Sequence, residues 1–259
     1  MGSPDDKFYR ARVTKRIDIA PDLWSIRVNP GGEFRFQPGQ YATLGVQGPE
    51  KRSERAYSIV SSPYEDEIEF FFELVQQGEL TPKLHGLQVG DEMLMRKVPK
   101  GRFILETKSE RTNHLLISTV TGLAPFVSYL RTLSRDAGDG KFPTGHNLFL
   151  INGASRSWEF GYHEEIQKVA AESQWLKYVP TISRPWEDEG WQGEVGRVDD
   201  LVRKYVDLWG LTANDTTAYL CGHPEMIEHT KGILRRRGFP KDNLKEEIYW
   251  IPAKKAVGQ

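Results

Sequence analysis

The sequence predicts two domains: an N-terminal antiparallel β-barrel or sandwich, then a doubly wound sheet of parallel strands with helices on both faces. Two observations lead to this fold class. Short strand-like segments separated by Gly- and Pro-rich turns fill the first part of the chain. After a wholly polar segment at residues 106–113, strand-like and helix-like segments alternate. The 259 residues leave room for both domains, which we place at residues 1–107 and 108–259.

The N-terminal strands are predicted from β-rich runs bounded by turn residues at 29–32 and 38–39. The clearest run is 68–75, where Ile68, Phe70 and Phe72 share one face. The predicted strands are 13–17, 24–28, 41–46, 55–60 and 68–75.

The C-terminal half alternates apolar strands with amphipathic helices. The predicted strands are 114–120, 147–152, 177–182 and 217–221, and the predicted helices are 125–133, 162–172, 199–206 and 224–237. Ligands on such sheets bind where strands pass into loops at their carboxyl ends.

The composition narrows the functional class. The net charge is −1, and no apolar run approaches a membrane span, so we expect neither a nucleic-acid nor a membrane partner. The polar residues 1–10 do not resemble a secretory signal. Cys221 is the single cysteine, which excludes an internal disulfide, a four-cysteine iron–sulfur cluster and a cysteine-rich zinc site. We therefore expect no metal and a cytoplasmic location.

Residues 55–58 place a cation, an aromatic ring and a hydroxyl on one extended segment. Arg55 and Tyr57 fall on one face, Ala56 and Ser58 on the other. A guanidinium binds a phosphate through paired hydrogen bonds, and a phenol ring stacks on a planar heterocycle. The pattern is that of a flavin nucleotide site, although Arg and Tyr are also common on exposed strands.

Two strand–helix junctions combine Gly with Pro. Thr121 and Gly122 precede Pro125, where backbone can approach a pyrophosphate at a helix start; an ordinary tight turn is the alternative. At the second junction Cys221 is either a redox thiol or a small apolar filler, and we favour packing beside a nicotinamide. His223 reads as a loop histidine.

Three arginines follow the later strands. Arg156 with Ser155, Arg184 and Arg197 all fall at the predicted ligand edge, where such a cluster would suit the 2′-phosphate of NADP. Taken alone, each arginine is better explained as a solvated surface residue, and Ser155 with Arg156 is the strongest pair of the set.

Two further segments have alternative interpretations. Gly78, Leu80 and Thr81 form a turn that either caps a helix, which we favour, or meets a phosphate. The basic runs 97–102 and 235–237 are typical of solvated faces, and the first would also suit an acidic electron carrier.

In this order the motifs resemble those of ferredoxin–NADP⁺ reductases of the bacterial type, over residues 8–250. The resemblance implies a Greek-key FAD barrel and an NADP-binding α/β domain. It implies that Arg55 holds the FAD pyrophosphate, Tyr57 stacks on the isoalloxazine and Ser58 lies near N5. The turn from Gly78 to Thr81 would meet the FAD phosphates. The segments 121–125 and 221–226 match the family's nicotinamide-domain motifs, and the arginines match its 2′-phosphate site.

The family's C-terminal Glu-x-Tyr matches Glu247 and Tyr249. By resemblance, Tyr249 covers the flavin face that nicotinamide must reach, and Glu247 lies near the active site as a proton relay. Ser58 and Cys221 complete the predicted catalytic residues. Trp250 and the tail after it depart from the family pattern: either Trp250 stacks on the FAD adenine or the tail is disordered.

The function implied is hydride exchange with NADP(H) through FAD and single-electron exchange with ferredoxin or flavodoxin, in a monomer. Three alternatives stay open. They are the reductase component of a multicomponent oxygenase, a flavin electron-transfer subunit of a larger complex, and a nucleotide-binding regulatory module.

Overall fold

The computed structural model describes residues 4–47 and 52–249. The N-terminal part forms one antiparallel sheet with a short helix. Its elements are β1 Phe8–Ala20, β2 Leu23–Asn29, β3 Tyr41–Gln47, β4 Arg52–Ser58, β5 Ile68–Glu73, α1 Thr81–His85 and β6 Glu92–Arg96. A 3₁₀ turn at Pro4–Lys7 precedes β1.

The antiparallel sheet closes into a barrel. Its strand order is β4-β3-β6-β1-β2-β5. A bridge between Ile59 and Phe70 joins the two ends, and the Val60 amide donates to the Glu69 carbonyl at 2.9 Å. Trp24 stacks on Phe72 in the core, with ring centroids 5.2 Å apart. The antiparallel barrel is confirmed, and closure decides against the sandwich.

Strand β6 was not predicted from the sequence. It pairs with both β1 and β3, and only Met93 and Met95 of it are buried. Two unbranched methionines between charged residues give a weak strand pattern.

The C-terminal part is a parallel sheet of order β10-β9-β8-β7-β11-β12. Its strands are β7 Asn113–Thr119, β8 Asn147–Ala154, β9 Leu176–Ile182, β10 Glu194–Val195, β11 Thr216–Gly222 and β12 Leu244–Ile248. Its helices are α2 Ala124–Gly138, α3 His163–Glu172, α4 Val198–Leu208 and α5 Pro224–Arg236. Single 3₁₀ turns lie at Val120–Leu123, Ser157–Glu159, Pro185–Glu187 and Lys241–Asn243.

Helices cover both faces of this sheet. Leu116 packs in a cluster with residues of α2 and α3, while its neighbours Leu115 and Ile117 pack with residues of α4 and α5. The doubly wound prediction is confirmed. Strands β10 and β12 were missed, the first because it has two residues and the second because Lys245, Glu246 and Glu247 make it polar.

The two sheets are joined through helix α2. Ser128 Oγ donates to the Ser61 carbonyl at 2.7 Å, and Thr132 Oγ1 donates to Ser62 Oγ at 3.0 Å. Phe71 of the barrel and Phe126 of α2 belong to the same buried cluster. The predicted boundary at residue 107 falls between the last barrel strand and the first parallel strand, and it stays a prediction.

Within the described residues, no helix combines the length and the apolar character that crossing a bilayer requires.

Candidate active site

The centre of the site is a hydrogen bond between the two domains. Ser58, the last residue of β4, donates from Oγ to Oε2 of Glu247 at 2.6 Å. Glu247 lies in β12 opposite Cys221 of β11. Burial raises the pKa of Glu247 to about 7, although the bond from Ser58 acts in the opposite direction. This carboxyl can therefore take up or release a proton near neutrality.

Tyr249 and Cys221 lie at the same sheet edge. Tyr249 follows β12, is 37% exposed, and donates its hydroxyl to the Thr121 carbonyl at 3.3 Å. Cys221 is fully buried, and burial raises the pKa of its thiol well above the usual range. A neutral buried thiol is a poor nucleophile, which favours the packing role over covalent chemistry.

Glycines let the ends of β7 and β11 approach each other here. A Cβ on Gly122 would lie 2.2 Å from the Cys221 carbonyl oxygen. Gly222 has φ +131°, and a Cβ on it would lie 2.3 Å from Thr119 Oγ1. That oxygen accepts from the His223 amide at 2.9 Å.

One sequence expectation at these junctions needs correction. A 3₁₀ turn separates β7 from α2, so α2 starts at Ala124, one residue before Pro125. His223 lies in the loop between β11 and α5 as predicted, and as the N-cap of α5 it accepts from the Glu225 amide at 3.2 Å.

The flavin-type segment lies on β4 as expected. Arg55 and Ala56 are exposed. The Arg55 guanidinium donates to the Glu54 carbonyl at 2.7 Å, and among the described residues no carboxylate forms an ion pair with it. Tyr57 packs edge-on against Phe72 with centroids 4.9 Å apart, and burial raises its pKa to about 12. An exposed cation beside a neutral phenol ring fits a flavin with its phosphates.

The turn after β5 differs from the favoured interpretation. Leu80, not Thr81, is the N-cap of α1, and its side chain is buried in the barrel core. Thr81 Oγ1 donates to the Val75 carbonyl and accepts from the Val75 amide, both at 3.1 Å. The hydroxyl of Thr81 therefore closes the turn around Gly78, and the helix-capping interpretation is wrong.

The arginines after β8 and β9 meet at one carboxylate. Arg156 donates from Nε to Glu187 at 2.6 Å and from Nη1 to Glu159 at 2.7 Å. Arg184 Nη1 lies 3.7 Å from the same Glu187, and the Arg184 amide donates to the Ser155 carbonyl at 3.0 Å.

Arg197 does not share this contact. Its Nε lies 3.3 Å from Asp199, which also contacts His229. The structure thus brings two of the three predicted arginines together. Glu159 and Glu187 were missed, although each stands three residues after an arginine of the pair.

The remaining predicted residues fall into two groups. Trp250 lies outside the described residues. In the basic run, Lys97 lies 3.4 Å from Asp6, while Lys100 and Arg102 are exposed and form no ion pair within the described part of the chain.

Over that same part, no group of three or more His, Cys, Asp or Glu side chains could hold a metal ion.

Comparison with known proteins agrees with both domains. The model of the oxidoreductase FAD-binding domain matches residues 10–104, and that of the oxidoreductase NAD-binding domain matches residues 116–232. A ferredoxin–NADP reductase of Pseudomonas aeruginosa is 30% identical, with 93% of this chain and 97% of the relative covered. The phenol hydroxylase P5 protein of Acinetobacter pittii is 28% identical, with 97% of this chain and 68% of the relative covered.

Among solved structures, a ferredoxin NADP⁺ reductase from Neisseria gonorrhoeae with bound FAD and NADP superposes with a TM-score of 0.81. It is 25% identical, and the match covers 94% of this chain and 99% of the other. With both domains matched in sequence and in fold, the chain belongs to the ferredoxin–NADP reductase family of FAD- and NAD-binding oxidoreductases.

Proposed function

We propose that this protein oxidises NADPH through bound FAD and passes single electrons to a small acidic carrier, a ferredoxin or a flavodoxin. The observation that carries the proposal is the Ser58–Glu247 hydrogen bond beside Tyr249, which joins the two nucleotide-binding domains at one point. Bound FAD supplies the conversion between two-electron and one-electron chemistry.

The barrel residues hold and orient the flavin. Arg55, which forms no ion pair with any described residue, offers its guanidinium to the phosphates, and Tyr57 offers a neutral ring to stack on. In the turn at Gly78 the hydroxyl of Thr81 is already bound to Val75, so the groups that this turn can offer to a phosphate are its backbone amides. Each of these groups serves binding and orientation.

The proton chemistry falls to Glu247. Its pKa of about 7 lets it hold a proton at one moment and release it at another near neutral pH. The Ser58 hydroxyl lies between this carboxyl and the barrel, so it is placed to relay that proton. If Tyr249 covers the flavin as the family resemblance implies, it would have to move before a nicotinamide ring could bind there.

The nicotinamide nucleotide is proposed to be NADPH because Arg156 and Arg184 lie together at the carboxyl edge of the parallel sheet. A 2′-phosphate is best recognised by such a pair of guanidinium groups.

The carrier is proposed from Lys100 and Arg102. Lys100 pairs with Tyr41 by two backbone hydrogen bonds, and Tyr41 stands opposite Ser58 in the next strand pair. Two strand spacings place the Lys100 backbone about 10 Å from Ser58. An acidic protein docked on these exposed cations would sit close to the site. The monomeric state and the cytoplasmic location stay predictions.

A second function is favoured by one observation. The similarity to the phenol hydroxylase P5 protein extends over 97% of this chain. The protein would then serve as the reductase of a multicomponent oxygenase. Because it has one cysteine, a four-cysteine cluster would have to reside on another polypeptide.

The test is an anaerobic stopped-flow experiment with the FAD-loaded protein. NADPH should bleach the flavin faster than NADH, and the host ferredoxin or flavodoxin should then reoxidise it. The double variant K100E/R102E should slow carrier reduction about tenfold or more at low salt, with the difference shrinking as salt rises.

The matched control is R235E/R236E, which makes the same charge change at the exposed end of α5. It should leave carrier reduction unchanged. Equal effects of the two double variants would contradict docking at Lys100 and Arg102, and a protein that takes up no FAD would contradict the function as a whole.

A further inference from the structure

We propose that Glu187 weakens the preference of this protein for NADPH over NADH, because its carboxylate occupies the arginine donors that an adenosine 2′-phosphate would use. The inference rests on the proposed function, in which Arg156 and Arg184 form the 2′-phosphate site. It adds an internal competitor to that site.

Each of the three guanidinium nitrogens of Arg156 donates to a carboxylate. Nε and Nη2 both donate to Oε2 of Glu187, the first at 2.6 Å, and Nη1 donates to Glu159 at 2.7 Å. The second oxygen of Glu187 faces Nη1 of Arg184 at 3.7 Å. Glu187 thus bridges the two guanidinium groups in the way a phosphate would.

Backbone donors of the same turn are engaged too. The Ser155 amide donates to Glu159 at 2.9 Å, and the Ser157 amide donates to Asp188 at 2.7 Å. Around the two arginines there are therefore three carboxylates. The local charge opposes a doubly negative phosphate ester unless one carboxylate moves away.

Glu187 is the carboxylate that can move. Its side chain is 36% exposed, and its side-chain contacts are with the guanidinium ends of two arginines. Glu159 is 15% exposed and is held by a backbone amide as well as by Arg156. Replacing Glu187 therefore frees the arginines without dismantling the turn.

The consequence differs between the two nucleotides. NADPH has to displace Glu187 before its 2′-phosphate can reach the guanidinium groups, and the free energy of that exchange reduces its affinity. NADH carries a hydroxyl at this position and makes no such demand. Glu187 thus brings the two affinities closer together than the arginine pair alone would.

The test compares Glu187→Gln with the wild-type FAD-loaded protein, using adenosine 2′,5′-bisphosphate and AMP as calorimetric probes. The bisphosphate should bind about tenfold more tightly to the variant, and AMP should bind within twofold of wild type. The KM for NADPH should fall relative to that for NADH. Glu189→Gln is the control, because Glu189 is exposed, carries the same charge and forms no ion pair within residues 4–47 and 52–249.

The other outcomes overturn the proposal. Unchanged or weaker bisphosphate binding in Glu187→Gln would show that Glu187 orients the arginines and does not compete for them. An equal gain in bisphosphate affinity in Glu189→Gln would show that the loss of one negative charge, and not the position of Glu187, causes the effect. Arg156→Ala distinguishes this failure from a failure of the proposed function. If Arg156→Ala loses bisphosphate binding while Glu187→Gln is unchanged, the 2′-phosphate site stands and only the competition by Glu187 is wrong. If neither variant changes bisphosphate binding, both the site and the competition are wrong. FAD absorbance and AMP affinity verify that each variant is folded.

Discussion

Glu69 is expected to be the most sensitive single charge for the stability of this protein. It lies in β5 with 2% of its side chain exposed, and Arg27 of the barrel donates to it at 3.1 Å. From the α/β domain, Arg131 Nη1 donates at 2.8 Å and the Tyr162 hydroxyl at 2.8 Å. One carboxylate therefore holds groups from both domains, and the perturbation we choose is Glu69→Gln.

The magnitude follows from these contacts. Removing one partner of a buried ion pair costs about 3–5 kcal/mol when the other charge is left buried and unpaired. Here Arg131 keeps Glu165 and Glu65, and Arg27 keeps Glu65, so the cost lies at the lower end of that range. The glutamine amide keeps one acceptor oxygen but turns its NH₂ group towards a guanidinium donor, and we expect the free energy of unfolding to fall by about 3 kcal/mol.

The same contacts set the pH dependence. Burial by itself would raise the pKa of Glu69, but Arg131 and Arg27 outweigh it and the pKa is lowered. A carboxyl with a lowered pKa in the folded state stabilises the fold above its unfolded pKa and loses that contribution as pH falls through the folded value. The difference between wild type and Glu69→Gln should accordingly shrink in acid.

The assay is urea unfolding of the FAD-loaded protein at neutral and acidic pH, followed by flavin fluorescence and circular dichroism. Glu165→Gln is the matched control, since Glu165 binds the same Arg131 but is 39% exposed. Its loss should cost about 1 kcal/mol. A Glu69→Gln protein within about 1 kcal/mol of wild type, or a Glu165→Gln control that loses as much, would show that Glu69 does not hold the domains together in this way.

Two further predictions concern the active site. In Ser58→Ala, Glu247 loses the hydrogen bond that lowers its pKa, so this carboxyl should titrate above about 7. The pH profile of hydride transfer should then shift towards alkaline pH. Glu247→Gln should abolish that titration. In Gly122→Ala, the new methyl would meet the Cys221 carbonyl oxygen at 2.2 Å, so thermal unfolding should show a loss of about 3 kcal/mol, whereas Gly138→Ala, with nothing within 4 Å, should be neutral or slightly stabilising.

The fold could be predicted where the hydrophobic pattern was strong. The alternation from Ile68 to Phe72 and the apolar run from His114 to Ile117 each correspond to an observed strand. Strand β12 could not be found in this way. Its central residues are charged because it is the outermost strand of the parallel sheet, next to β11. Edge strands carry polar residues, so their pattern resembles a loop.

The site could be predicted only where it is local in sequence. Arg55, Tyr57 and Ser58 fall within four residues, and the alternation of a strand indicates which of them share a face. The contact of Arg156 with Glu187 joins residues 31 positions apart, and that of Ser58 with Glu247 joins residues 189 apart. Such contacts depend on how loops and domains pack, which periodicity does not report.

The interface itself assigns different roles to a buried carboxyl, Glu69, and a half-buried one, Glu247. Glu69 faces two guanidinium groups, so its pKa is lowered and it stays charged. Glu247 is half-buried, and its hydrogen-bond partner is the neutral hydroxyl of Ser58, so the loss of solvation prevails and its pKa rises to about 7. A group that stays charged serves to hold the domains together, whereas a group that titrates near neutrality can exchange a proton. The same interface therefore combines a charged carboxylate at Glu69 with a carboxyl at Glu247 that can titrate near neutrality, and the difference comes from Arg131 of α2 beside the first and Ser58 of β4 beside the second.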